Sequence, residues 1–476
     1  MDTLKYFEEI SAIPRGSGNE KQISDHMVEF AKKLGLEVHQ DKAYNIYIKK
    51  PASPGYENAP TVVMQGHMDM VCEKNNDTEH DFLTEGIKLI TEGDWMRADG
   101  TTLGGDDGAA IAMQMAILAD DSIKHPALEC LMTTDEERGM TGVEALEPEH
   151  ITGKVLINID NETEGEFIVS CAGGAKAYLH LPYKEVAADS SKTSYKISIK
   201  NLKGGHSGAE IHHQRANAHI LMARLLDKVS QSVEYKLATI VGGTKDNVIT
   251  RECDVVIDID KADEGKLKAL AKEMNDTFKA EYDVQDPDIE IIVESASKAA
   301  TYIDDDTTKK LINTILVFPN GVMAFDKKMH GLVQTSLNLG IVQMSDGEIS
   351  LAAAVRSSVA TAKEYILARL EALSNLIGAR FEIKGAYPNW AYNDKSRLRD
   401  MAVDVYKEMY GKEPIVTAIH AGLECGFISE KCPGMDMISI GPTIEHIHSP
   451  EERMNIPSVK RVSDFVVKLL EKMNEY

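Results

Sequence analysis

Cysteine is scarce in this 476-residue chain, and the six present (Cys72, Cys130, Cys171, Cys253, Cys425 and Cys432) are scattered, with no C-x-x-C pair among them. That excludes a disulfide framework and fits free, mostly buried thiols in a reducing cytosol. Positive charge is also short: 52 Lys and Arg face 76 Asp and Glu, a net −24 that would be repelled by a phosphate backbone or an anionic membrane surface. Nucleic acid and membrane are therefore not expected partners. The first nine residues, Met1 to Glu9, carry acids where a secretory signal needs a basic start and an apolar stretch. No apolar run reaches the roughly 18 residues of a membrane span. These absences together point to a cytoplasmic protein, long enough for two or three domains.

What the chain does have is a set of short apolar runs that each stop at a potential metal ligand. Thr61 to Gly66 runs into His67-Met68-Asp69, and Leu128 to Thr134 runs into Asp135-Glu136-Glu137. Val155 to Ile159 meets Asp160, and Met437 to Ile440 leads through Gly441 to His448. Such runs, flanked by helical patterns, read as buried strands of a mostly parallel sheet, and ligands of such sheets bind beyond the carboxyl ends of the strands. Imidazole and carboxylate meeting there without thiolate suit zinc or a similar divalent ion, and hence metal-assisted hydrolysis.

Ser17-Gly18-Asn19-Glu20 is patterned as a capping box, followed by Ile23, Met27, Phe30 and Leu34 at helical spacing and a stop at Gly35. An apolar helix is predicted from Ala109 to Ala119, after the glycine-rich stretch Leu103 to Gly108. Strands and helices alternate up to Asp160, which predicts an α/β layered domain. Near Cys171-Ala172-Gly173-Gly174 the strands become amphipathic, and the glycines there read as a hinge. The α/β texture returns after Gly385-Ala386-Tyr387-Pro388. The expected organisation is a discontinuous catalytic domain, 1–173 and 387–476, with an α+β lid, 174–386, inserted. Leu237 to Leu270 echoes Thr335 to Leu370 in pattern, as a duplicated unit would.

His67 and Asp69 are two apart, so an extended strand puts both on one face. Asp106 and Asp107 lie in a glycine-rich turn before a helix; helix capping alone would account for them, and a turn aiming one carboxylate between two cations is the functional alternative. Either aspartate suits that position by residue chemistry. Glu136 and Glu137 are a plain acidic loop start unless metals are present, in which case one ligates and the other takes a proton from water. His446 offers the same chemistry as His448.

With these residues in view, the motifs resemble those of the dinuclear zinc aminopeptidase and carboxypeptidase clan, and most closely its aminoacyl-histidine, or cytosolic non-specific, dipeptidases. The matching stretches are Gly66 to Met70, Thr101 to Gly108, Thr134 to Gly142, Gly204 to Gly208, His420 to Gly426 and His448-Ser449-Pro450. The resemblance implies two zinc ions, with cobalt or manganese as substitutes: His67 and Asp160 on one, Glu137 and His448 on the other, and Asp106 between them. It further implies that Asp69 fixes the tautomer of His67, that Glu136 is the general base, that His206 stabilises the oxyanion, and that Asn247 and Arg356 hold the substrate carboxylate. His420 and Glu424 lie in a family motif without an assigned role. Where the family has Asp-Asn, this chain has Asp106-Asp107.

The resulting expectation is a dipeptidase acting on Xaa-His or a broader set of dipeptides. A carboxypeptidase or N-acyl amino acid deacylase would share every ligand. A binding module on an inactive hydrolase scaffold is the non-enzymatic alternative, against which the presence of Glu136 and all five ligands weighs. His206 would act within its own chain or, in a homodimer, across the interface.

Overall fold

All four apolar runs become strands, and they lie side by side. In the computed structural model, which describes residues 2–345 and 347–476, Val62–His67 pairs in parallel with Leu128–Thr133 and with Val155–Asn158, and Asp436–Ser439 pairs in parallel with Val155–Asn158. Their side chains are buried nearly throughout, because helices and loops cover both faces of a parallel sheet. Four more strands extend this centre to eight: Glu37–Gln40 and Ile46–Lys50, joined antiparallel, beyond Leu128–Thr133, and Glu166–Cys171, antiparallel to Asp436–Ser439, with Ile415–Ile419 beyond it. The α/β layered class holds, with a parallel centre of four strands.

The helix predicted after the glycine-rich stretch is Gly105–Ala119, buried from Gly105 to Leu118 and, past Asp106 and Asp107, apolar on all sides but for Gln114, as suits a helix against the middle of a sheet. Gly66 lets it approach: a Cβ there would stand 2.6 Å from that of Ala110 and 2.5 Å from a carboxylate oxygen of Asp107. The helix Lys21–Lys33 buries Ile23, Met27 and Phe30 as spaced, and Gly35 takes φ +70° just after it. The capping box expected before it does not form. The Ser17 hydroxyl donates instead to Asp69, and Glu20 accepts from the backbone N–H groups of Gly18 and Asp135, so both side chains serve the strand-end loops.

The chain divides into two compact units, one of Met1–Cys171, Trp390–Ala418 and Leu423–Tyr476, the other of Ala172–Asn389 and Ile419–Gly422. Gly173 and Gly174 are paired strand residues of the second unit rather than a free hinge. Their lack of a side chain admits the backbone of Pro388 and Asn389 and the ring of Tyr387.

The second unit is built on an antiparallel sheet. Its main path runs Glu290–Ser295, Thr193–Lys200, Cys253–Ile259, Tyr235–Gly242, Val333–Ser345, Glu348–Ser357, Gly173–Pro182, Arg380–Tyr387. Read outward from the central pair, the two halves have the same order. Each consists of strand, helix, strand, strand, helix, strand, with helices Ala218–Ser230 and Glu264–Glu281 in one half and Asp305–Val317 and Ala360–Ile377 in the other. The halves meet at Gly242 opposite Val342. The two segments that echo one another in sequence fall on equivalent hairpins and the helices that follow them.

Candidate metal centre

At the carboxyl edge of the four parallel strands, acids and imidazoles crowd together. His67 ends its strand with Nε2 3.1 Å from Asp106 Oδ1 and 3.6 Å from Asp160 Oδ1. His448 places Nε2 3.3 Å from Asp106 Oδ2 and 3.0 Å from the Glu137 carboxylate. Asp106 therefore offers one oxygen to each imidazole. His67, Asp106 and Asp160 form one group of ligand-sized spacing and Asp106, Glu137 and His448 another, while His67, Glu136 and Glu137 make a third, all with donor atoms within 4.8 Å. His446 is exposed and takes no part.

Asp69 lies just past the strand end, with Oδ1 3.3 Å from His67 Nδ1. It also accepts the backbone N–H groups of Glu136 at 3.1 Å and Glu137 at 3.4 Å, and the Ser17 hydroxyl at 2.7 Å. The two glutamates open a single helical turn, Glu136–Gly139, entered through Asp135 at φ +54°.

Backbone geometry aims Asp106 and Asp107 differently. Asp107 turns under the strand and accepts the His67 backbone N–H at 3.1 Å, leaving Asp106 to face both imidazoles. The capping role open to either aspartate is taken by Glu452, whose carboxylate accepts from the N–H groups of Leu103 (2.8 Å), Gly104 (3.0 Å), Gly105 (2.8 Å) and Asp106 (3.3 Å). A negative group there satisfies otherwise unpaired donors at the positive end of the helix. Glu452 arrives on the same hairpin as His448: the strands Ile444–Glu445 and Arg453–Asn455 flank both residues, and the second pairs with Trp95–Ala98.

Arg15 was not singled out by the sequence, yet it is buried beside this loop. Its guanidinium donates to the carbonyls of Met68 (3.0 Å) and Asp69 (3.2 Å) and to that of Gly104. Gly104, at φ +69°, and Gly108 make room for it: a Cβ on either would come 2.5 Å from Arg15 Nη2. Part of the glycine richness of this stretch thus answers to a buried cation. Burial pulls the Arg15 pKa down, against the pull of Glu452, Asp69, Asp107 and Asp106.

Electrostatically the cluster is short of cations. Burial opposes charge on His67, but Asp106, Asp160 and Asp69 outweigh it and hold its pKa well above the ordinary value. Asp106 and Glu137 push His448 up to about 10, whereas burial raises Asp160 to about 6 and lifts Glu136 well above the carboxylate range, with Asp160, Glu424 and Glu137 adding to the latter. Without cations, protons must fill that deficit. Four carboxylates and two imidazole Nε2 atoms without thiolate are a donor set that fits hard or borderline divalent ions.

Below the strand ends lies Glu424, fully buried, with Oε2 accepting from Gln65 (2.5 Å) and Thr133 (2.6 Å). Burial pushes its pKa up to about 8. No spacing rule pointed to Glu424, Glu452 or Arg15, although the first stands in a stretch already marked as a motif.

His206, Asn247, Arg356 and His420 belong to the second unit. The His206 Nδ1 accepts the Ala209 N–H at 3.1 Å, and the Asn247 carbonyl accepts that of Ser207 at 2.9 Å. Arg356 donates to the Tyr387 hydroxyl at 2.8 Å. His206 and Arg356 meet around Gly208, where a Cβ would stand 3.0 Å from His206 Cε1 and 3.2 Å from Arg356 Nε. His420 is buried with Nε2 2.7 Å from the Ser336 hydroxyl, and burial together with Arg356 lowers its pKa to about 3.

Comparison with known proteins agrees with this geometry. The sequence profile of Peptidase family M20/M25/M40 matches residues 63–472. The chain is 38% identical over 472 residues to the cytosol non-specific dipeptidase of Escherichia coli (strain K12), covering 98% of this chain and 96% of that one. The crystal structure of aminoacylhistidine dipeptidase from Vibrio alginolyticus superposes with a TM-score of 0.94 at 37% identity, covering 98% of this chain and 96% of that one. Aminopeptidase PepT from Bacillus cereus, at 17% identity and a TM-score of 0.57 over 99% of this chain and 98% of its own, shares the fold.

Proposed function

The chain belongs to Peptidase family M20/M25/M40 and is a metal-dependent dipeptidase, and on that footing we propose that Asp106 bridges two divalent ions, most simply zinc, with His67 and Asp160 on one and Glu137 and His448 on the other. The observation that carries this reading is the division of the Asp106 carboxylate, one oxygen 3.1 Å from His67 Nε2 and the other 3.3 Å from His448 Nε2.

Two ions held there would polarise the scissile carbonyl and lower the pKa of water. The chain's own groups do the rest. Asp69 accepts the Nδ1 proton of His67 and so leaves Nε2 as the donor atom. Glu136 takes the proton of the attacking water and delivers it to the leaving amine. In the second unit, His206 has the chemistry to hold the developing oxyanion, and Asn247 and Arg356 that to hold the substrate carboxylate. A cytosolic setting accords with the name of the E. coli relative and with six cysteines that are all free. Among the described residues no helix is long and apolar enough to cross a membrane.

The test is metal content and turnover measured together. By elemental analysis Asp106→Ala should carry up to two ions per chain fewer than the wild type, with release of free histidine from Xaa-His dipeptides lost in parallel. Faster turnover of N-acylated amino acids than of any dipeptide would replace the dipeptidase reading with the deacylase one.

A further inference from the structure

Away from the strand ends, two more imidazoles converge on one carboxylate. His39 lies on the outer strand Glu37–Gln40, opposite Tyr47. Glu147 and His150 bracket a single 3-10 turn, whose three-residue spacing puts both on one side, with the His150 N–H donating to the Glu147 carbonyl at 3.2 Å. Both rings direct Nε2 at the same oxygen, Glu147 Oε2, at 2.9 Å from His39 and 3.4 Å from His150. The rings stack with centroids 3.9 Å apart and planes 22° apart.

An ordinary ion pair explains one of these histidines but not both. A single imidazolium satisfies the carboxylate, and two stacked imidazolium rings would repel one another. Two neutral rings and one carboxylate around a cation remove the conflict. Zinc holds N and O donors at about 2.0–2.1 Å, so neighbouring ligand atoms in a tetrahedron stand about 3.3 Å apart. The two N···O distances straddle that spacing, and the three donor atoms lie within 4.8 Å of each other. Glu147 is also held in place: its backbone N–H donates to the Tyr47 hydroxyl at 2.8 Å, which donates in turn to Asp41 at 3.1 Å.

We propose that His39, Glu147 and His150 bind one borderline first-row divalent ion, zinc foremost, with the fourth position left to water. The side chains are 40%, 34% and 32% exposed, so the ion enters directly from solvent. Once bound, it ties the outermost strand of the sheet to the turn that precedes Val155–Asn158.

The experiment is equilibrium dialysis of the intact protein against buffered zinc, with metal counted per chain in the wild type, His39→Ala, His150→Ala and Glu147→Gln. The wild type should carry one equivalent more than either histidine variant, and Glu147→Gln should bind that equivalent at least tenfold more weakly. All four should hydrolyse dipeptides at the same rate, which shows that they are folded and that the catalytic ions are in place. Because the readout is a difference between proteins, it stands whether the catalytic centre holds one ion or two. Equal zinc content in the wild type and both histidine variants overturns the proposal.

Discussion

Asp69 receives the backbone N–H of Glu136 at 3.1 Å on the same carboxylate oxygen that stands 3.3 Å from Nδ1 of His67. One carboxylate thus meets both the His67 ring, proposed to hold a metal, and the turn that carries Glu136, the proposed base. Asp69→Asn keeps the shape but can present an N–H to Nδ1 where an acceptor is needed. Metal affinity or kcat should fall by about 10- to 100-fold, measured by chelator competition and steady-state hydrolysis.

Glu136→Gln removes the proton acceptor and leaves the ligand groups alone. We expect kcat to drop by about 10²- to 10⁴-fold, with metal content per chain as in the wild type. Undiminished turnover in this variant would remove Glu136 from the role of base.

Asp106 and Asp107 should separate cleanly. Asp106→Asn should release metal, because the bridge needs both oxygens. Asp107→Asn retains an acceptor for the His67 N–H and should keep its metal and turn over within about tenfold of wild type. Asp107→Ala leaves that buried N–H unpaired and should lower stability by about 1–3 kcal/mol, read as a shift in the denaturant midpoint at constant m.

The four central strands could be read before the fold was known because each is a short apolar run with a functional residue at its end, and a run buried on both faces needs no partner to be visible. Four of the proposed ligands, His67, Glu137, Asp160 and His448, follow those runs and are legible for the same reason, whereas Asp106 is implied only by the family resemblance. What stayed hidden was the set of residues that act on backbone rather than on other side chains. Arg15 is a single basic residue after Pro14, and nothing local shows that it will be enclosed by the carbonyls of Met68, Asp69 and Gly104. Glu452 looks like a solvated acid beside Glu451, and its four N–H partners lie some 346 to 349 residues away. Ser17 and Glu20 form a convincing local capping pattern that tertiary partners overrule. The ambiguity between Asp106 and Asp107 was of another kind: two identical side chains in one turn differ only in the backbone angles that aim them.

Arg15 supports a stability prediction. Arg15→Met fills the space but leaves three carbonyls and several acids without their cation, and should cost about 3–5 kcal/mol. Arg15→Lys should recover only part of this, since a point charge cannot reproduce the fork whose Nη1 reaches Met68 and Asp69 while Nη2 reaches Gly104. Thermal midpoints of the two variants check it.

His219 supports a prediction about acid. It is fully buried in the helix Ala218–Ser230, and burial lowers its pKa to about 3 from 6.5. The fold therefore favours the neutral ring: its contribution is complete above pH 6.5 and is lost as pH falls towards 3. At pH 4 the deficit should be about 3 kcal/mol. Guanidinium midpoints followed from pH 7 to pH 4 should fall less steeply in His219→Leu than in the wild type.

The hairpin that carries His448 and Glu452 has a consequence for biosynthesis. Everything else at the catalytic edge, from Arg15 to Asp160, leaves the ribosome hundreds of residues earlier, with its acids gathered and the amino end of the helix Gly105–Ala119 lacking its anion. The nascent protein must wait in that half-built state, and a translation product that stops short of Glu452 has neither the second imidazole nor the carboxylate that steadies the loop of Asp106. Peptide-bond cleavage by this chain is thus withheld until the hairpin of His448 and Glu452 has been made.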